Sequence, residues 1–139
     1  MATLIDPRRL PIRDPLARER ERAWVRLAEP GTWWTGAERL AIAAESRLAH
    51  HCALCRARKA ALSPYTVEGA HESGGMLPPP AVEATHRLTT DAGRLTRKWL
   101  AGVLDEGLSE ERYVEIVGVV AVITALDTFD AALGLPRRA

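Results

Sequence analysis

Ser109-Glu-Glu-Arg-Tyr-Val-Glu-Ile-Val-Gly-Val-Val-Ala-Val-Ile-Thr-Ala-Leu126 decides the fold class of this chain. Ser109 is a helix cap, and Glu110 and Glu111 stand where a helix dipole favours acids. From Ile116 to Leu126 only Gly118 and Thr124 interrupt an apolar run. Val and Ile are strand formers, but the length and flanks of the run favour a buried core helix. It continues through Phe129 to a stop at Gly134-Leu-Pro136.

The segments ahead of this helix follow the same grammar. Leu95, Trp99, Leu100, Val103 and Leu104 predict a helix over 92–104, with Asp91 as its cap and Gly107 as its stop. Ala81 to Leu88 reads as another helix. Thr35-Gly-Ala-Glu38 is a capping box, with Trp33 and Trp34 placed to staple the entry. It opens a helix rich in small residues through Leu40, Ile42, Ala43, Ala44 and Leu48. That pattern weakens at His50-His51, resumes after Cys52, and stops at Ser63-Pro64. Asp14-Pro15 starts a short amphipathic helix that ends near Glu29-Pro30-Gly31. No convincing strand pair is present. The expectation is an all-α, single-domain bundle of about six helices: an N-terminal arm and short helix over 1–30, then the main helical domain over 31–139. Residues 64–80 form a long Gly/Pro-rich connection, of a kind that often lies over sites.

Composition excludes several classes of function. The 139 residues are 47% hydrophobic and 27% charged, which suits one packed domain rather than a disordered chain. A net charge of +1 argues against affinity built on phosphate contacts, and 5% aromatics is too few for base stacking, so no nucleic-acid partner is expected. No apolar stretch approaches about 20 residues, so no membrane span is expected. The N-terminus lacks the apolar core of a secretory signal, and the expected location is cytoplasmic.

Cys52-Ala-Leu-Cys55 carries the chemistry. Residues three apart share a helix face. A thiol at a helix N-terminus is acidified by free N–H groups and by the dipole, and Arg56, Arg58 and Lys59 add positive potential. The pair therefore reads as a redox dithiol, with two small buried side chains as the plain alternative. Zinc is a further reading: Cys52 and Cys55 with two of His51, His71 and His86 supply four ligands, although His71 and His86 are isolated in sequence. Glu45 lies seven residues before Cys52, on nearly the same face of a continuous helix, about 10 Å away. In that apolar stretch its carboxyl is expected to have a raised pKa and to relay protons, the alternative being a surface carboxylate paired with Arg47 or Arg39. His51 is placed to act as a base or hydrogen-bond donor, and His86 to reach the site from across the fold.

The run from Glu45 to Cys52-x-x-Cys55, behind the small-residue helix from Ala37 to Ala44, resembles the carboxymuconolactone decarboxylase superfamily, and most closely its alkylhydroperoxidase D-like, peroxidase-related branch. His86 to Trp99 occupies the place of that branch's middle helices, and Asp105 to Pro136 looks like its terminal helix. The resemblance spans roughly residues 33–136. It implies an all-helical homo-oligomer and a cofactor-free thiol peroxidase or disulfide reductase. Cys55 would be the peroxidatic thiol and Cys52 the resolving one, with a hydroperoxide as substrate and a thiol or dithiol as reductant. The family's His four residues after the second Cys is Lys59 here, and its relay Glu position holds Leu40. Glu45, His51 and His86 are the candidate replacements. The alternative is a non-enzymatic helical oligomer that binds zinc through Cys52, Cys55 and His.

Overall fold

A computed structural model describes residues 10–139; the first nine residues of the expected arm lie outside the described region. Among the described residues there are six α-helices and no strand, as the sequence predicts. They are α1 (Asp14–Leu27), α2 (Gly36–Ala49), α3 (Ala53–Ala60), α4 (Pro79–Asp91), α5 (Arg97–Asp105) and α6 (Glu110–Ala132). No described helix is long and apolar enough to cross a membrane.

The core is a three-way packing of α2, α4 and α6. Ile42, Ala81, Ala84, Ile116, Val119 and Ile123 meet there almost without exposure. Alanines on α2 and α4 let the helix axes approach, and the branched residues of α6 fill the space. Trp24 and Leu27 of α1 bury into this same core. Arg20 of α1 forks onto the buried carboxylate of Asp130 at 2.6 and 2.9 Å, tying the first helix to the last. Such a bidentate pair fixes orientation as well as adding energy.

The capping box forms as read: Thr35 Oγ1 accepts the Glu38 N–H, and the Glu38 carboxylate accepts the Thr35 N–H. Ser109 caps α6 by accepting the Arg112 N–H. Trp34 is buried beside the entry to α2, whereas Trp33 is 47% exposed. Glu115 of α6 secures this corner by accepting from the Trp33 and Trp34 amides and from Arg39.

Two expected caps differ. Arg13, not Asp14, holds the cap position of α1, with no side-chain bond; Asp14 lies in the first turn. Asp91 does not cap α5, because its carboxylate accepts from Arg94 at 2.8 Å and Arg87 at 3.3 Å. Ala92–Arg94 is instead a 3-10 turn, and Thr96 caps α5 by accepting the Trp99 N–H. Paired arginines draw the acid away from the backbone it would otherwise cap.

Replacing Ile116 by Ala is expected to lower the unfolding free energy by about 3 kcal/mol. Leu62→Ala, at a fully exposed position, is expected to change it by less than about 0.5 kcal/mol. Urea unfolding of the two variants checks this ranking.

Candidate metal and thiol centre

The helix carrying Glu45 does not run on to the cysteines. It ends at Ala49, and Cys52 becomes the cap residue of the new helix α3, with Cys55 in its first turn. Both sulfurs are free thiols, 3.7 Å apart and essentially without solvent exposure. The long connection between α3 and α4 passes over them and delivers His71, and α4 delivers His86. His71 Nδ1 lies 3.6 Å from each sulfur, and His86 Nδ1 lies 3.3 Å from Cys55 Sγ. The four donor atoms all fall within 4.8 Å of one another.

Each histidine is held from behind by a carboxylate. His86 Nε2–H donates to Glu45 Oε2 at 2.7 Å. The other oxygen of Glu45 accepts the Ser73 hydroxyl at 2.7 Å and the Gly74 amide at 2.5 Å. Gly75, next in the loop, has φ +77, a left-handed turn that glycine permits. His71 Nε2–H donates to Glu83, which also accepts from Arg58 and from Trp99 Nε1. A carboxylate can only accept, so both rings carry their hydrogen on Nε2. The neutral form of each ring then turns a bare Nδ1 lone pair toward the sulfurs.

Electrostatics follow from this arrangement. Burial pushes the Cys55 thiol up, but His71 and His86 beside it prevail and bring it down to about 6. Burial also opposes the Cys52 thiolate, while the Cys55 and Glu72 amides and His71 stabilise it, and its pKa is lowered. Glu45 corrects an expectation. Burial does raise its carboxyl, but the bonds from Ser73, His86 and Gly74 outweigh burial, so the pKa is lowered. It is an anchored carboxylate, joined to Cys55 only through His86.

Among the residues singled out from sequence, Cys52, Cys55, Glu45, His86 and the zinc candidate His71 come together. His51 does not: it is exposed in the bend after α2, and His71 faces the sulfurs instead. Arg56 and Lys59 are exposed, and Arg58 pairs with Glu83 through Nη1 and with the Val67 carbonyl through Nε. Glu83, Ser73 and Gly74 were not anticipated. Glu83-x-x-His86 on one helix face was the available signal for the first.

The spacing fits a tetrahedral metal. With Zn–S near 2.3 Å and Zn–N near 2.0–2.1 Å, zinc separates its donors by about 3.8 Å for S–S and about 3.5 Å for S–N. Four of the six donor separations here are close to these, 3.7 Å for S–S and 3.3–3.6 Å for three S–N pairs, and all six fall within 4.8 Å. A carboxylate behind each histidine is the usual outer support of such a site. Without metal, the same atoms make a dithiol flanked by two proton donors.

In reduced, metal-stripped protein, the ultraviolet absorbance of thiolate is expected to rise with a first midpoint near pH 6, not near 9. His86→Gln removes a group that stabilises the thiolate, so the midpoint should move upward. A midpoint that stays in place would dissociate His86 from Cys55.

The chain matches no family model, no curated protein and no solved structure.

Proposed function

We propose that this chain is a zinc-binding helical protein in which Cys52, Cys55, His71 and His86 hold one Zn²⁺. The observation that carries this reading is the gathering of four donors within 4.8 Å, four of their six separations close to the edges of a zinc tetrahedron, with Nδ1 of both histidines aimed inward. Two thiolates would balance the ion, while His71 and His86, whose pKa values burial opposes but the sulfurs and carboxylates beside them raise, would each release a proton on binding it. Four protein ligands leave no open position, so the metal's work is structural. It ties α3 and the long loop to α4. That corner has little apolar anchorage, since Cys52, Leu54 and Cys55 form a small apolar cluster apart from the main core, and its other ties are polar: Arg58 to Glu83, Arg94 to the end of α3, and Ser73 and Gly74 to Glu45. Thiolate ligation also suits a reducing compartment such as the cytoplasm.

A second reading, a metal-free thiol peroxidase, is favoured by the line Glu45–His86–Cys55 and by the resemblance to alkylhydroperoxidase D-like proteins. In it, the Cys55 thiolate attacks the outer oxygen of a hydroperoxide. The O–O bond breaks, a proton from His86 completes the alcohol, and Cys55 is left as sulfenic acid. The Cys52 thiol then forms the disulfide and releases water, and an external dithiol returns two electrons and two protons. The sealed position of both sulfurs weighs against it.

The homo-oligomer implied by the resemblance finds support on α6. Val114, Val117, Gly118, Ala121, Val122 and Ala125 form an exposed stripe without a charged residue. Small residues at its centre would let a second copy's helix approach closely.

Mass spectrometry of native protein is expected to find one zinc per chain. Chelation should lower Tm by on the order of 10 °C and expose amides of α3 and of residues 61–78 to hydrogen exchange. Cys52→Ser and His71→Ala should each lose the metal. Protein grown with zinc that carries none, while its dithiol consumes hydroperoxide with turnover, would replace this reading with the second.

A further inference from the structure

Beside the centre lies a cavity of about 860 Å³, with His71 and its partner Glu83 in one wall. This volume is within the range of sites that enclose small organic ligands. Leu77, Val82, Trp99 and Val103 supply apolar wall. Glu83 is also in the wall, but its carboxylate is consumed by Arg58, Trp99 and His71 and offers little repulsion to an acid.

Helix α5 presents Lys98 and Gly102 to this space, and Glu106, the residue after the helix, follows four positions on as a carboxylate from which an acid's head group must keep away. Gly102 is the informative position. A glycine inside a helix costs roughly 1 kcal/mol against alanine, and a Cβ built here meets nothing within 4 Å. Packing therefore does not require the glycine, and its φ is not in the left-handed region. It lines the cavity together with Trp99, with free space where a side chain would stand. Two cationic donors at the wall have no partner among the described residues: the Lys98 ammonium, and Nη2 of Arg58, whose Nε and Nη1 are engaged by Val67 and Glu83.

We infer that this cavity is a binding site for a small organic acid, with its apolar body against Trp99, Val82 and Val103 over the gap left by Gly102, and its carboxylate directed to Lys98 and Arg58. The inference does not depend on the identity of the metal, only on the cavity walls.

Calorimetric titration of the full-length native protein with octanoate, and in parallel with octanol, tests it. Octanoate is expected to bind saturably and more tightly than octanol. Gly102→Leu fills the space with a better helix former and should weaken octanoate at least about tenfold, with Gly102→Ala intermediate. Lys98→Gln should weaken octanoate about fivefold and leave octanol unchanged. Helical circular dichroism and zinc content, measured on every variant, separate loss of this site from loss of the metal centre. No saturable binding of either probe, or octanoate binding that Gly102→Leu and Gly102→Ala leave unchanged, overturns the site. Octanol binding as tightly as octanoate, or octanoate binding unmoved by Lys98→Gln, overturns the assignment of an acid.

Discussion

Two carboxylates facing the backs of two imidazoles set everything else at this centre. Glu45 and Glu83 each accept an Nε2–H, which fixes the tautomer of His86 and His71 and points both Nδ1 atoms at the sulfurs. Remove that constraint and the histidines become ordinary half-buried bases, free to turn their hydrogen toward sulfur. The carboxylates are themselves prevented from turning. Glu45 is gripped by the hydroxyl of Ser73 and the amide of Gly74, and Glu83 by Arg58 and Trp99. The order of dependence runs outward from donors to histidines, then carboxylates, then the loop and α5.

That order explains how a bundle with a plain apolar core carries a polar centre at its edge. Glu45 and His86 sit on α2 and α4, the two helices packed most closely in the core. They are therefore as rigid as the core itself. Cys52, Cys55 and His71 come from a short helix and a long loop, which have little apolar anchorage of their own. The core half presents one ring and its carboxylate, and the half with little apolar anchorage meets it through polar contacts. A metal ion, as proposed, would add bond energy where apolar area is lacking.

Local signals in the sequence were readable because they are written within four residues. The Thr35–Glu38 box, the Ser109 cap, the all-α pattern and the cysteine pair are of this kind. The pairing of His71 with Glu83 is not, since nothing in a Gly/Pro-rich loop states where its middle will land. His51 drew attention by adjacency to Cys52, yet the bend after α2 turns it into solvent. The same bend breaks the single helix on which Glu45 was expected to face the cysteines directly. Asp91 misled as a cap for another reason: Arg87 and Arg94 compete for its carboxylate and win.

The acidified thiol and its burial pull toward different chemistry, and magnitude decides between them. Two histidines bring Cys55 to about 6, enough to make it a thiolate at neutral pH. A peroxidatic thiolate must also meet its substrate, and here both sulfurs are covered by the loop and by α4, with 0% and 1% exposure. A proton relay improves a reaction only after encounter, so without access it gives the sulfur nothing to act on. A metal ion needs no such access once bound, and it would use both histidines, the carboxylates behind them and the donor spacing together. The balance of physical requirements therefore favours coordination over turnover at these two sulfurs.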